Sequence, residues 1–289
     1  MKLFFYAKTG HRVGLDRMRR VIALMREFEE FDPLLMVSDF RAASYAKELG
    51  VRRSVGIDDV RNMPNITERG DIVIFDSDEY NEVMHQEMIE YFSHFVRVST
   101  DPTDSVKNGE IVISPYLEGE NIINAILIDK TYFKKEDKEY EKVFFYGDDD
   151  YEKKLLKDAE AFADENFDLL EGFYFFMGYD KELKKYFNNI YEGEMYEEVL
   201  LKSKNFVTSS AQSALEALAA NSNPVYIHRD DKENHYFTLL EELGIPVLKC
   251  FSKNEIVETV NVTKNYNIKK INDKSVTNAA TELKKRLNL

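Results

Sequence analysis

The residues best suited to chemistry lie in one stretch, Thr208-Ser209-Ser210-Ala211-Gln212-Ser213-Ala214-Leu215-Glu216-Ala217-Leu218. It follows the apolar run Asn205-Phe206-Val207, which reads as the end of a buried strand, and becomes rich in alanine and leucine, as a helix does. The turn between holds small hydroxyl side chains. A strand ending in such a turn and opening a helix aims unpaired N–H groups and the positive end of the helix dipole at one spot, which suits a phosphate. Ser209 and Gln212 have capping-box spacing, and Ser213 and Glu216 share one helix face. Glu216, about two turns in, could accept hydrogen bonds from sugar hydroxyls while the turn holds a diphosphate. The same pattern also describes a well-capped helix start and nothing more.

Other candidates lie just after apolar runs. After the first come Gly10, His11 and Gly14, the glycines permitting a tight turn or close backbone approach. A histidine there could act as a general base on water or a sugar hydroxyl, bind a phosphate, or cap the turn. Asp76 ends another run and could orient His11 or a substrate hydroxyl, while Ser77 or Asp78 could cap a helix. Gly147 precedes Asp148, Asp149 and Asp150. Three adjacent acids repel a bare diphosphate but suit the start of a helix. No histidine or second acidic pair at ligand spacing accompanies them, so no metal is expected. Arg12, Arg17, Arg19 and Arg20 have the fork geometry for phosphate, although an amphipathic helix would turn most of them to solvent. His228 and His235 lie in a loop suited to ligand contact, whereas His85 and His94 fit surface or packing positions.

The elements that must position these groups alternate regularly. Short apolar runs predict strands over residues 3–7, 34–37, 72–75, 95–98 and 111–113, then 143–146, 173–176, 206–208, 225–227 and 247–248. Met18, Val21, Ile22, Met25 and Phe28 form the apolar stripe of a helix between the first two. Strands alternating with helices imply parallel sheets with right-handed crossovers. The charged stretch over residues 130–142 reads as a linker, dividing the chain into domains 1–131 and 132–289. A last helix over 273–289 carries Val276, Ala279, Ala280, Leu283 and Leu287 at helical spacing, and could pack back toward the N-terminal domain. The expected fold class is α/β, with two Rossmann-like doubly wound domains facing a cleft.

Composition narrows the function. At 289 residues the chain is long enough for one large domain or two ordinary ones. A net charge of −14 argues against binding nucleic acid or a membrane surface. The lone Cys250 permits no internal disulfide, no run approaches a membrane span, and the N-terminal apolar run is too short for a signal peptide. A cytoplasmic protein without membrane insertion is therefore expected. No G-x-G-x-x-G turn follows the first strand, which disfavours a dinucleotide oxidoreductase.

Taken in order, the glycine–histidine turn, the glycine turn opening the second half, the serine-rich turn with Leu215-Glu216-Ala217-Leu218, and Asn234 ahead of Leu239 and Gly244 resemble the nucleotide-sugar enzymes of the GT-B fold. The pattern is most similar to the UDP-sugar hydrolases of pseudaminic acid biosynthesis, relatives of the MurG-type glycosyltransferases. Residues 195–207 also resemble that family's approach to its nucleotide strand. The resemblance implies a catalytic base at His11, pyrophosphate contacts at Ser209, Ser210 and Ser213, and a ribose contact at Glu216. It implies a nucleotide contact at Gly147 and sugar-side contacts at Gly10, Asn234 and His235. The ligand would be a UDP-linked sugar, and no cofactor is implied. Two departures stand out. A short insertion separates His11 from Arg20, where the family has an arginine three residues after its histidine. The family's Gly-Gly-Thr-Asp-like turn is here Gly147-Asp148-Asp149-Asp150. Hydrolysis, transfer to a soluble or protein acceptor, and a non-catalytic member that has lost its phosphate-turn chemistry all stay open, as do the sugar and the oligomeric state.

Overall fold

Runs such as Leu3-Phe4-Phe5-Tyr6-Ala7 and Ile72-Val73-Ile74-Phe75 are apolar on both faces, so they need helices above and below. The computed structural model describes residues 1–262 and 265–289 and divides them into two compact units. The first comprises residues 1–10, 17–129 and 273–289; the second comprises residues 11–16 and 130–272.

The first unit holds β1 (Leu3–Ala7), β2 (Leu34–Val37), β3 (Ser54–Gly56), β4 (Ile72–Asp76), β5 (His94–Val98), β6 (Ile111–Ser114) and β7 (Ile122–Asn124). They form one sheet in the order β3-β2-β1-β4-β5-β6-β7, every pairing parallel. Helix α1 (Asp16–Met25) follows β1, α2 (Phe40–Glu48) follows β2 and α3 (Glu82–Tyr91) follows β4. Met18, Val21, Ile22, Met25 and Phe28 are all buried, as their spacing predicts.

The second unit holds β8 (Tyr140–Phe145), β9 (Asp168–Leu170), β10 (Ile190–Tyr191), β11 (Ser203–Thr208), β12 (Asn223–Ile227) and β13 (Val247–Leu248). Their order, β10-β9-β8-β11-β12-β13, repeats the reversal of the first sheet, again with parallel pairing throughout. Between them run α4 (Leu155–Asp158), α5 (Asp180–Leu183), α6 (Tyr196–Lys202), α7 (Ala211–Ala219) and α8 (Phe237–Glu242), with α9 (Lys253–Asn261) after the last strand. Phe144, Phe162, Phe167 and Leu169 belong to its core. Helix α10 (Ser275–Leu287) ends the chain and counts with the first unit.

Both sheets therefore have the Rossmann order, and the two-unit α/β architecture expected from the sequence is observed. Four strands escape the apolar pattern. β3, β7, β9 and β10 are two or three residues long, too short to show a period. The run 173–176 is not a strand but the loop after β9. The expected linker is also more structured than its charge suggests. Lys138 Nζ donates to the carbonyls of Leu201 and Ala220, each at 2.7 Å, at the carboxyl ends of α6 and α7.

Candidate functional site

The second sheet reverses its strand order between β8 and β11, and the carboxyl ends of strands at such a reversal are where open α/β sheets bind ligands. Gly147 follows β8 with φ of 110°, a conformation that suits glycine. The three aspartates after it are all buried, and their mutual repulsion is met by separate donors. Asp148 Oδ2 accepts from Leu15 N at 3.1 Å. Asp149 Oδ1 lies 2.9 Å from His11 Nδ1, and its Oδ2 accepts from Tyr151 N. Asp150 accepts from the N–H groups of Lys154 and Leu155 at the start of α4 and from the Tyr179 hydroxyl. The helix-start role expected of the acidic run thus falls to its third member.

Residues 11–16 pack with this unit. The turn is made by three left-handed residues, Gly10 (φ 118°), Arg12 (φ 68°) and Gly14 (φ 87°). A Cβ on Gly14 would make only ordinary contact with Asp148 Cβ, at 3.4 Å, so it is the positive φ that calls for glycine there. Lys232 Nζ donates to the Arg12 carbonyl at 2.9 Å, and the Arg12 guanidinium lies 5.0 Å from the Tyr151 ring centre. Burial and the nearby Arg229 guanidinium lower the Lys232 pKa.

His11 is enclosed by rings: Tyr174 at 5.3 Å, Tyr151 at 5.5 Å and Phe176, nearly parallel, at 5.9 Å. Its side chain is 42% exposed, whereas that of Asp149 is 3% exposed. Gly172 brings two of these rings into place. A Cβ there would stand 2.4 Å from the Gly147 carbonyl oxygen, so only a hydrogen fits, and Tyr174 N can then donate to the Asp148 carbonyl at 2.8 Å. Beside this loop, burial and the acids Asp180, Glu192 and Glu194 push the Glu171 carboxyl up to about 7.

The serine turn follows β11. Its cap is Ser210, one residue later than the capping-box spacing suggested: Ser210 Oγ accepts from Ser213 N at 3.0 Å. The same hydroxyl lies 2.8 Å from both carboxylate oxygens of Asp16. Ser213 Oγ is 2.7 Å from the Tyr196 hydroxyl, which donates to Glu216 Oε2 at 2.6 Å, while Gln212 Nε2 donates to Oε1 at 2.9 Å. Glu216 is 1% exposed, and protein donors meet both of its oxygens. Among the described residues, two buried side-chain atoms lack a hydrogen-bond partner: Ser209 Oγ after β11 and His228 Nδ1 after the adjacent β12. Such orphans are rare in folded proteins and gather where a ligand or water belongs. Arg229, next to His228, donates to the carbonyls of Tyr146 and Asp149 and stacks 4.0 Å from the Tyr146 ring centre, tying the β12 loop to the β8 loop. Asn234 is exposed, its carbonyl accepting from Phe237 N at the start of α8, and His235 is half-buried.

The first unit disposes of its candidates differently. Asp76 is buried and held by Arg20 through two bonds, Nη2 to Oδ1 at 2.7 Å and Nε to Oδ2 at 2.5 Å. The carboxylate that meets His11 is Asp149. Arg19 is also buried rather than turned to solvent, and Arg17 pairs with Asp78. Gly10 lies near Asp39, to which Thr9 donates. Among the described residues, no group of His, Cys, Asp and Glu side chains could hold a metal ion, and no helix is long and apolar enough to cross a membrane.

Sequence reasoning gathered His11, Gly147 and the serine turn but missed Asp149 as the partner of His11, the rings of Tyr151, Tyr174 and Phe176, Asp16 and Arg229. Gly172 was the available signal for the rings, because a glycine ahead of an aromatic run marks close backbone approach as readily as a strand start.

No protein-family model matches this sequence, and no curated protein matches it. Solved structures do share its fold. The UDP-GlcNAc 2-epimerase of Methanocaldococcus jannaschii, solved with UDP-GlcNAc and UDP, superposes with a TM-score of 0.63 at 13% identity, covering 99% of this chain and 100% of that one. HepE of Anabaena, solved with UDP-glucose, gives 0.59 at 12% identity, over 99% and 95% of the two chains. A glycosyltransferase of Rickettsia africae gives 0.52 at 9% identity, over 99% and 97%. At these identities the likeness is one of fold.

Proposed function

We propose that this chain processes a nucleotide-activated sugar and hydrolyses the bond between the anomeric carbon and the phosphate of a UDP-sugar, with His11 as general base. The observation that carries the reading is the His11–Asp149 pair. The buried carboxylate at Nδ1 favours the tautomer with its proton on Nδ1, leaving Nε2 as the proton acceptor on a ring that solvent reaches. Nε2 takes a proton from water as the water oxygen bonds to the anomeric carbon. The bond from that carbon to the phosphate oxygen breaks, and UDP leaves with the electron pair. The imidazolium formed is stabilised by Asp149, a positioning residue. In the same unit the turn at Ser209 and Ser210 opens α7, where a diphosphate is favoured, and Ser209 Oγ has a hydrogen bond to give. Fold neighbours solved with UDP or UDP-sugars support a nucleotide-sugar ligand. The same base would serve a transferase by deprotonating the hydroxyl of a soluble or protein acceptor.

One observation favours a non-catalytic reading. Glu216 and Ser213 already hydrogen-bond to Tyr196, so a ribose must compete with an internal donor. The test is a thermal-shift screen against UDP, GDP, CMP, ADP and several UDP-sugars, followed by an assay for UDP release. A selective rise with UDP and release in water alone support hydrolysis. Release that needs an added acceptor supports transfer. No shift with any nucleotide supports the non-catalytic reading.

A further inference from the structure

We propose that Asp16 is a built-in competitor for the anionic group of the ligand: its carboxylate occupies the helix-opening turn as a phosphate would, and a nucleoside diphosphate binds there by displacing it. The proposal rests on the nucleotide-site reading of the serine turn given above. Asp16 places both carboxylate oxygens 2.8 Å from Ser210 Oγ, the cap of α7. α7 is nine residues long, and the N–H groups of its first turn and its dipole attract negative charge. Asp16 supplies that charge from within the chain.

The fit is incomplete, and the gap points to a larger anion. Ser209, next to the cap and only 5% exposed, has a buried hydroxyl without a partner. Both Asp16 oxygens lie at the Ser210 hydroxyl, and neither satisfies Ser209. A phosphate group offers more oxygens and a tetrahedral spread, so it can take Ser210 and Ser209 together. A change of rotamer would withdraw the Asp16 carboxylate from the turn. The bonds that hold its segment, Leu15 N to Asp148 and Lys232 Nζ to the Arg12 carbonyl, do not involve the Asp16 carboxylate.

The test is calorimetric titration of wild type, Asp16→Asn and Asp16→Ser with UDP, inorganic pyrophosphate and uridine. Asparagine and serine both keep a helix-capping side chain and remove the charge, so two chemically different variants guard against a folding artefact. We expect UDP and pyrophosphate to bind both variants about tenfold more tightly than wild type, with uridine unchanged. Unchanged or weaker binding of both anions would overturn the proposal while leaving the nucleotide reading intact if wild type binds UDP. Tighter pyrophosphate binding without any binding of UDP or uridine would uphold the role of Asp16 and overturn the nucleotide reading. Failure of all three proteins to bind either anion overturns the proposal.

Discussion

His11 and His85 each face a carboxylate, His11 Nδ1 at 2.9 Å from Asp149 and His85 Nε2 at 2.7 Å from Glu110. Around His85 everything is closed. The residue is 1% exposed, its ring stacks on Tyr80 and meets Phe95 edge-on, and Asn108 Nδ2 lies 3.4 Å from its other nitrogen. Glu110 is also gripped by Arg97 through Nε and Nη2, and Arg97 in turn binds Asp104. Around His11 stand the rings of Tyr151, Tyr174 and Phe176, and the imidazole stays reachable. The pairing of histidine with acid is common to both. What separates the two is access to the ring, and that is a property of the loops rather than of the pair.

The comparison breaks first at His11→Ala. UDP release should fall by about 10²–10⁴-fold while UDP still binds, measured on protein of unchanged circular dichroism; retained turnover removes His11 from the mechanism. The matching change in the first unit, Glu110→Ala, should cost about 3 kcal/mol of stability in a urea melt, because Arg97 and His85 lose a buried partner, with UDP release unchanged below the melting temperature. A loss of turnover without a loss of stability would show that the two histidines are not so different. Asp149→Asn should lower UDP release by roughly tenfold to a hundredfold and move its pH profile, since the amide cannot stabilise the imidazolium. An unchanged profile would reduce Asp149 to a packing residue. The smallest effect concerns Glu171, an acid near the open site that lacks the guanidinium Glu110 has. Its folded pKa, near 7, is raised above the ordinary 4.5, so its contribution to stability is present below about pH 4.5 and lost as pH rises through 7. Glu171→Gln removes that loss. Its melting temperature relative to wild type should therefore climb between pH 5 and 8, and a constant difference would refute the assignment.

The fold was legible because the long strands are continuous apolar runs: β1, β4, β6 and β12 stand where Leu3, Ile72, Ile111 and Val225 begin or anchor them. α1 and α10 were legible through their stripes. The short strands β9 and β10 were not, since β9 is placed by pairing with β8, and β10 by pairing with β9, and not by their own pattern. At the site, the turns after β1, β8 and β11 were visible as glycine and serine punctuation. Asp149 was visible only as one of three equal acids, because which one meets His11 depends on the left-handed backbone at Arg12 and on the absent side chain of Gly172. Asp76 illustrates the converse. It stands at the right place in its strand but is claimed by Arg20, a residue whose helical position suggested solvent.

The membership of α10 in the first unit sets a schedule for a chain made from one end. All seven strands of the first sheet have been synthesised by residue 124, but Val276, Ala279, Ala280, Leu283 and Leu287 belong to that unit's buried set and come last. The second unit needs nothing beyond residue 272 and can close earlier, although its strands begin only at residue 140. At roughly 5–20 residues per second, the first unit waits on the order of ten seconds on the ribosome with an uncovered apolar face. In that interval the exposed apolar surface is open to aggregation or to whatever binds nascent apolar surface.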